Sequence, residues 1–482
     1  MVHTPALKML VAKGLLLFQW DVGAAFYGNK MDRTGVIVQL PPGYDPYSTA
    51  IERPLHLPPL YGELAGALPG IPQGSLLHYQ AIGPELNALG FKALPADNCL
   101  FLHDTIEMVT TLHVDDGILA CPSLEHAELV LGPAGLGSKR KITWGPLAHT
   151  LGVDFKVLYT PQKRVVFMSQ RPYAVTILER AGKMGCKPAR TPAAAGRVYT
   201  KADCPQNDDE KADMQRRGFD KHHYHTVQAS INFYVSITRD DMRFINGKLA
   251  KFVGNPGEEH FKAQDHQLAF IEATKDYGIE FSWRSTDPAP VDGPLVLEAW
   301  SDSSFGDDKD TGRTTLAWLA KVNDATVLSA SKLSARVDSC VNHSELHAFG
   351  AAIGSYVKPV GLTDGASTSF ARAGRDVTWL RGVKAGLERR DVATMPPTPV
   401  YVDNAGVISM LKDTTLKTAN KHIFRALQEN RERVNIDKIV MAVKVDTKLN
   451  LANALTKQEP SIHASAAQLR LITGPCSIQF DK

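Results

Sequence analysis

TTLHVDDGILA, residues Thr110–Ala120, is the stretch that decides the fold of this 482-residue chain. Apolar and polar residues alternate before Asp115-Asp116-Gly117 and an apolar run follows, which is typical of two strands joined by a tight turn. Such a hairpin places two adjacent carboxylates at its tip, where both can approach one site. Taken alone, the pattern also fits an ordinary turn, because Asp is common in turns for hydrogen-bonding reasons.

Four further acidic residues occupy comparable places. Asp21 in QWDVGAAF, Asp302 in AWSDSSFG and Asp403 in VYVDNAGV lie at predicted strands, and Glu345 in HSELHAFG lies on a predicted helix. Taken separately, each strand-end Asp also fits a turn residue. Clustered carboxylates are costly unless a cation neutralises them, and a pair of Mg²⁺ ions can clamp a phosphodiester. Two clusters therefore predict two phosphoryl-transfer centres, one that makes nucleic acid and one that cuts it.

Composition sets the class of protein. The length suits roughly three domains, and contents of 44% hydrophobic and 22% charged residues are those of a globular protein. A net charge of +3 is too small to demonstrate a polyanionic partner. The six cysteines are scattered without a C-x-x-C pair, which predicts a reducing compartment and argues against a zinc site. No apolar run reaches membrane-spanning length, so we expect an intracellular protein, cytoplasmic or nuclear, without a membrane partner.

The chain between the motifs alternates between predicted helices and strands. Ser123 is placed to cap a helix over 124–131, and Pro84 is placed in the first turn of a helix that ends near Leu89. Residues 193–225 are polar with few apolar anchors, which predicts a flexible linker. Strands over 295–301, 314–321 and 326–331 predict a meander that opens the last domain.

The ordered series of motifs resembles the Pol polyprotein of copia-type LTR retrotransposons. The matching stretches cover nearly the whole chain and include WDVGAAFYGN, VQLPPGYDP, LHVDDGILA, LGVDF, CKPARTP, WSDSSFGDDKDTGRTT, VDNAGVI, TANKHI and LANALTK.

The resemblance implies an α+β chain in three parts. Residues 1–200 would form a partial reverse transcriptase, with palm and thumb but with the fingers largely missing. Residues 201–290 would be the linker and connection, and residues 291–475 an RNase H-like α/β domain with a mixed sheet. The implied function is that of a retrotransposon-derived RNA-directed DNA polymerase with RNase H activity. Its partners would be an RNA template, a DNA primer, an RNA–DNA hybrid and deoxynucleotides.

The resemblance also implies the metal ligands, with two Mg²⁺ ions per active site. Asp21, Asp115 and Asp116 would be the catalytic carboxylates of the polymerase. The RNase H carboxylates would be Asp302, Glu345 and Asp403, with Asn453 at the position of a fourth carboxylate ligand.

Further residues would bind substrate by the same resemblance. Phe26 resembles an aromatic gate that excludes a ribose 2′-hydroxyl, although an ordinary core Phe also fits. Gln73 resembles a glutamine that contacts the incoming nucleotide. The basic run Lys139, Arg140 and Lys141 would contact template–primer phosphates, and His422 would either bind nucleic acid or cap a helix.

Three departures from the family pattern predict an impaired enzyme. The fingers segment is not found ahead of the first palm motif, the expected LAD becomes Leu451-Ala452-Asn453, and residues 354–374 look like an insertion after Glu345. Asn can offer a carbonyl oxygen to Mg²⁺ but contributes no charge. Two alternatives stay open: a catalytically dead nucleic-acid-binding remnant of a transposon, and an unrelated two-metal nuclease.

Overall fold

The computed structural model describes residues 14–41, 60–71, 73–160, 163–194, 196–284, 295–323, 325–354, 376–413, 423–457, 469 and 472–477. It divides into two compact units. One is Leu15–Thr150, and the other is Leu151–Lys482 together with Met1–Gly14. His422 and all but the first residue of the predicted insertion over 354–374 lie outside the described residues. The boundaries of the three predicted domains stay predictions.

The unit Leu15–Thr150 is built on a six-stranded antiparallel sheet in the order β4-β5-β6-β7-β1-β8. The strands of this unit are β1 Leu16–Val22, β2 Ile37–Gln39, β3 Tyr61–Glu63, β4 Phe91–Leu94, β5 Asp97–His103, β6 Val109–His113, β7 Asp116–Cys121 and β8 Ile142–Pro146, where β2 and β3 pair separately. Its helices are α1 Gly74–Ala88 and α2 Leu124–Leu131. The hairpin and α2 are as predicted, and the Ser123 hydroxyl accepts a hydrogen bond from the His126 amide.

Helix α1 corrects the prediction for Pro84. The helix begins ten residues earlier, at Gly74, and Pro84 lies inside it. Proline removes one helical hydrogen bond and costs about 3 kcal/mol. The fully buried Ile82 and Leu86 flank it, and burying two such side chains contributes roughly 3–6 kcal/mol. Packing onto the sheet therefore outweighs the local penalty of the proline.

The core of this unit depends on one close approach between β1 and β7. Trp20 lies opposite Gly117, and a Cβ at position 117 would lie 2.3 Å from the Trp20 ring. The ring is 2% exposed, and its indole N–H donates to the Thr110 hydroxyl at 3.1 Å. The glycine that follows the two aspartates thus allows Trp20 to cover the strand beside the hairpin tip.

The second unit contains two larger sheets. In the first, β10 Val153–Tyr159, β11 Lys163–Ser169, β12 Tyr277–Arg284 and β18 Gly474–Pro475 pair in sequence, and every pair is antiparallel. A short strand, β9, covers His149–Thr150 at the end of the other unit. Apolar side chains of three helices form one core of the second unit. These helices are α3 Arg171–Arg180, α5 Lys221–Ile237 and α7 Glu258–Thr274.

The polar stretch predicted as a flexible linker is helical in part. Helix α4 covers Asp208–Arg216, and α5 begins at Lys221, inside the stretch that was predicted as a linker. The Asn207 side chain accepts from the Glu210 amide at 2.9 Å and caps α4. Acidic residues in its first turn favour the helix N-terminus. The prediction was wrong here because it weighed apolar anchors and overlooked capping.

The other large sheet of this unit is mixed, as predicted for the last domain. Its order is β15-β14-β13-β16-β17, in which β13 to β15 are antiparallel and β13, β16 and β17 are parallel. The strands are β13 Leu297–Ser304, β14 Thr315–Val322, β15 Ala325–Leu333, β16 Thr398–Val402 and β17 Val440–Lys444. The remaining helices are α6 Arg243–Ala250, α8 Val341–Ile353, α9 Val377–Leu387, α10 Ala405–Lys412 and α11 Phe424–Arg431. Among the described residues, none of these helices has the length and apolar character that crossing a membrane requires.

Candidate metal centre and acidic hairpin

Three carboxylates from separate elements meet at one edge of the mixed sheet. Asp302 lies near the carboxyl end of β13, and Asp403 directly follows β16. Because β13 and β16 run parallel, their carboxyl ends share an edge. Glu345 comes from the second turn of α8, on the side of the helix that is buried. We call Asp302, Glu345 and Asp403 the acidic triad.

The acidic triad has the geometry of a metal centre. One oxygen from each carboxylate lies within 4.8 Å of the other two. Across the described part of the chain, no other group of three or more His, Cys, Asp or Glu side chains meets this distance. Asp302 and Glu345 are buried and Asp403 is half-buried, so the centre is enclosed on the side of the sheet.

Burial and electrostatic repulsion raise the pKa of two carboxylates of the triad, Asp302 and Glu345. Burial, followed by the charge of Asp302, raises the pKa of Glu345 to about 8. Burial also raises the pKa of Asp302 to about 6, against the hydrogen bond from Thr456 and the nearby charge of Lys457. Asp302 and Glu345 therefore resist full ionisation together near neutral pH. A divalent cation would reverse this cost by supplying charge at the same point.

The donor set fits Mg²⁺. Glu345 Oε2 is buried and has no hydrogen-bond partner within the described part of the chain, which leaves one carboxylate oxygen unsatisfied there. Asp302 Oδ2 accepts from the Thr456 hydroxyl, which holds the carboxylate in place. Carboxylate oxygens are the protein ligands that Mg²⁺ prefers.

Asn453 lies beside the triad in a short 3-10 helix, Leu451–Leu455. Thr456 links the two, since its hydroxyl also contacts the Asn453 carbonyl oxygen at 3.1 Å. Asn453 is 1% exposed, its Nδ2 donates to the Thr447 carbonyl, and its Oδ1 has no hydrogen-bond partner among the described residues. A buried amide oxygen without a donor is the group that a cation would satisfy. That Asn453 binds the metal stays a prediction.

The other predicted centre is formed by Asp21, Asp115 and Asp116, which we call the acidic hairpin. Asp21 of β1 lies directly opposite Asp116 of β7, so these two side chains share a face of the sheet. Asp115 lies in the two-residue turn before β7, and its carbonyl accepts from the Val22 amide at 3.0 Å. These three carboxylates do not meet the 4.8 Å distance that the triad meets.

Burial, and then the charge of Asp115, raises the pKa of both Asp21 and Asp116 above the ordinary range for aspartate. For Asp116, the charge of Asp21 adds to the rise, while His113 and His149 oppose it. The electrostatic cost of ionising both residues is thus of the same kind as in the triad.

The turn itself is strained at Val114. This residue has φ of 60°, in the left-handed region that β-branched residues avoid. Such strain costs of order 1–3 kcal/mol and concentrates at functional sites. The sequence contains a signal for this strain, because a two-residue hairpin turn of this type prefers glycine at its first position and this chain has Val114 there.

Phe26 and Gln73 both lie at the N-terminal end of α1. Phe26 is half-buried against the core, and a Cβ at Gly74 would lie 2.9 Å from its ring. Gln73 precedes the helix and makes no capping hydrogen bond through its side chain. The two predicted nucleotide-binding residues therefore lie near the same helix end.

His78 was missed by the sequence analysis. It is fully buried one turn after Gly74, and its ring centroid is 6.3 Å from that of Phe26. Its Nδ1 contacts the Ala25 carbonyl at 3.0 Å, whereas Nε2 has no partner in the described residues. Burial, and then the charge of Arg140, lowers the pKa of His78. The only signal for it in the sequence is its position one helical turn after Gly74.

The predicted basic run divides into two kinds of residue. Arg140 donates to both oxygens of Glu85, at 2.7 and 3.1 Å, and both side chains are largely buried. Its guanidinium is therefore held by α1. Lys139 and Lys141 are exposed and stay candidates for phosphate contact.

The sequence of this chain is similar to those of known proteins. No protein-family model matches the chain. It is 22% identical over 473 residues to the retrovirus-related Pol polyprotein from transposon TNT 1-94 of Nicotiana tabacum, a match that covers 95% of this chain and 32% of the relative. It is 24% identical over 449 residues to the retrovirus-related Pol polyprotein from transposon RE1 of Arabidopsis thaliana, covering 91% and 26%. The chain thus spans about a third or less of the length of these relatives.

Among solved structures, the chain is similar to the foamy viral protease-reverse transcriptase in complex with an RNA/DNA hybrid. The TM-score is 0.42 at 9% identity, covering 91% of this chain and 45% of that one. The sequence matches confirm the predicted resemblance: this chain is similar to retrovirus-related Pol polyproteins from transposons.

Proposed function

We propose that the chain cleaves the RNA strand of an RNA–DNA hybrid in a Mg²⁺-dependent reaction at the acidic triad. The single observation that carries this proposal is the convergence of three carboxylates within 4.8 Å at the edge of the mixed sheet. The similarity to retrotransposon Pol polyproteins over 91–95% of the chain supports a substrate of nucleic acid. The cytoplasm or the nucleus is the compartment in which such a substrate is met.

The residues at the triad have different roles in the proposed reaction. Asp302, Glu345 and Asp403 would hold Mg²⁺, and the side-chain Oδ1 of Asn453 would complete the set of ligands. When bound, the metal polarises the phosphate and activates the attacking water. Thr456 fixes the Asp302 carboxylate by its hydrogen bond, and the packing of α8 against β13 excludes water from the buried side of Glu345.

The acidic hairpin supports a second activity, RNA-directed DNA synthesis from a DNA primer on an RNA template. The observation that favours it is the register that pairs Asp21 with Asp116 beside the Asp115 turn. These carboxylates would hold the Mg²⁺ ions of a polymerase, with Phe26 and Gln73 contacting the deoxynucleotide and Lys139 and Lys141 the template–primer phosphates.

A cleavage assay on the purified chain tests the first activity. The substrate is an RNA–DNA hybrid labelled on the RNA strand, in Mg²⁺ and in Mn²⁺. We expect cleavage by the unmodified chain and none by Asp302→Asn, whereas Asp437→Asn, which removes an exposed carboxylate outside the triad, retains it. Cleavage that persists in Asp302→Asn would contradict the proposal. Binding of the hybrid without cleavage in any form would instead favour the catalytically dead remnant.

A further inference from the structure

A cleft of about 190 Å³ opens beside the acidic triad, within the second unit. Ser304 at the end of β13, Thr456, which contacts Asp302, and residues of α6 line it. The cleft therefore adjoins the triad through Thr456. Four cationic side chains line it: Arg197, Lys248, Lys251 and Lys457.

Three of these four cations are neutralised by carboxylates. Arg197 contacts Asp203 and Glu259, both at 3.1 Å. Lys248 contacts Asp307 at 2.6 Å, and Lys251 contacts Asp308 and, at 3.6 Å, Asp310. Asp307, Asp308 and Asp310 belong to the loop between β13 and β14. These pairs hold that loop against α6, and they leave little charge for a ligand.

Lys457 differs from the other three. It makes no ion pair with a carboxylate in the described residues, although it lies close enough to Asp302 to act on it electrostatically. It follows Thr456 directly, and its backbone amide donates to the Asn453 carbonyl at 3.3 Å. Among the described cations that line the cleft, Lys457 is thus the one without a carboxylate ion-pair partner.

The neutral side chain of Asn453 leaves a need for positive charge near the triad, which the Lys457 ammonium can meet. A fourth carboxylate at that position would attract a second divalent cation, whereas an amide attracts it less. Phosphoryl transfer depends on positive charge placed at the phosphate oxygens. A lysine ammonium is a compact point charge suited to phosphate contact.

We propose that Lys457 is a further catalytic residue, whose ammonium binds a phosphate oxygen of the substrate strand in this cleft. Its positive charge compensates for a second divalent cation, which the neutral Asn453 attracts less than a carboxylate would. This inference rests on the proposed hybrid cleavage. It assigns to Lys457 a contact with the substrate itself, and to Arg197, Lys248 and Lys251 the role of holding the walls of the cleft.

The test uses the full chain with three variants: Lys457→Gln, Lys457→Arg and the control Lys309→Gln. Lys309 is an exposed lysine of the loop that borders the cleft. Affinity for a labelled RNA–DNA hybrid is measured against salt concentration in Ca²⁺, in which cleavage is suppressed. Loss of one phosphate contact should lower the slope of log affinity against log salt by about one. Cleavage in Mg²⁺ should fall on the order of 100-fold in Lys457→Gln, and Lys457→Arg should retain most of the salt slope because it keeps the charge.

The outcomes separate this inference from the function on which it rests. A lowered slope in Lys457→Gln, with unchanged thermal unfolding and an unchanged slope in Lys309→Gln, supports the phosphate contact even if no form of the chain cleaves. An unchanged slope and an unchanged cleavage rate in Lys457→Gln would overturn it, even if Asp302→Asn abolishes cleavage. Should Lys457→Gln fail to fold, Lys457→Met and Lys457→Arg are compared, and equal slopes in those two would overturn it.

Discussion

The acidic triad and the acidic hairpin contain the same number of carboxylates but differ in how the fold holds them. The triad draws on two parallel strands and a covering helix, and its oxygens lie within 4.8 Å of one another. The hairpin draws on the adjacent strands β1 and β7 and on the turn between β6 and β7, with all three aspartates half-exposed. Elements that converge from distant parts of the chain enclose the triad, whereas cross-strand pairing alone leaves the hairpin open to solvent.

The electrostatic consequence differs accordingly. In the triad, burial raises the pKa of Glu345 to about 8 and that of Asp302 to about 6. In the hairpin, burial and Asp115 raise the pKa of Asp21 and Asp116 in the same direction. The triad is therefore preorganised for a cation, and we expect the hairpin to need its nucleic-acid and nucleotide ligands to draw the carboxylates together.

The largest expected effect is a separation of the two activities by single substitutions. Glu345→Gln should lower hybrid cleavage on the order of 1,000-fold, since it removes a triad ligand, and should leave primer extension unchanged. Asp116→Asn should do the reverse. Both rates are measured on the same preparations, and a variant that lowers both equally while folding normally would break the comparison.

The next effect concerns Asn453. Asn453→Asp adds one negative charge beside the triad with almost no change of shape, so it should strengthen metal binding. We expect hybrid cleavage to rise roughly tenfold, which corresponds to about 1.4 kcal/mol in the barrier, and to need less Mg²⁺. Rates are compared across a Mg²⁺ titration. An unchanged Mg²⁺ dependence would place Asn453 outside the metal centre.

A third prediction uses a buried carboxylate that belongs to neither cluster. Asp376 caps α9 by accepting from the Trp379 amide at 2.9 Å, and burial raises its pKa to about 6. Because the folded state holds this proton more tightly than the unfolded state, the protein loses stability as the pH rises from about 4 to about 6. Asp376→Asn keeps a capping oxygen and should be more stable than the unmodified chain above pH 6, by about 1–3 kcal/mol.

The measurement for Asp376 is denaturant unfolding at several pH values, with and without Mg²⁺. The gain from Asp376→Asn should be the same in both, since Asp376 is not part of the triad. A gain that disappears below about pH 4 would agree with the sign of the shift. A gain that grows toward low pH would contradict it.

The smallest expected effect lies at the hairpin turn. Val114→Gly removes a β-branched side chain from the left-handed region, so it should stabilise the folded state by about 1 kcal/mol despite the added freedom of the unfolded chain. Val296→Gly, at an exposed valine that lacks a positive φ, should not stabilise. Urea unfolding of the full chain compares the two. A destabilised Val114→Gly would show that the strain is not relieved by glycine.

Local patterns predicted local structure well. The helix capped by Ser123 and the hairpin around Asp115 follow from residues within a few positions of each other. Pro84 misled because its cost is offset by burial against a sheet that local sequence does not show. The helix Asp208–Arg216 was missed because its stability comes from caps and ion pairs rather than apolar residues.

The site was predictable only in part, for a related reason. Asp302, Glu345 and Asp403 come from elements far apart in sequence, so the acidic motifs suggested a cluster and the resemblance to a family assigned its members as metal ligands. Lys457 could not be singled out from the sequence, because a lysine becomes informative when its neighbours' partners are known. The ion pairs of Lys248 and Lys251 are what distinguish it, and they depend on the packing of α6 against the β13–β14 loop.

The central claim, that the acidic triad is a divalent-metal centre, is tested most directly by calorimetric titration of the full chain with Mg²⁺ and Mn²⁺. We expect binding that weakens by about 100-fold or more in Glu345→Gln, since a charged ligand is lost from a set of three. Asp116→Asn serves as the control and should leave that binding unchanged. Equal metal affinity in Glu345→Gln and the unmodified chain would contradict the account.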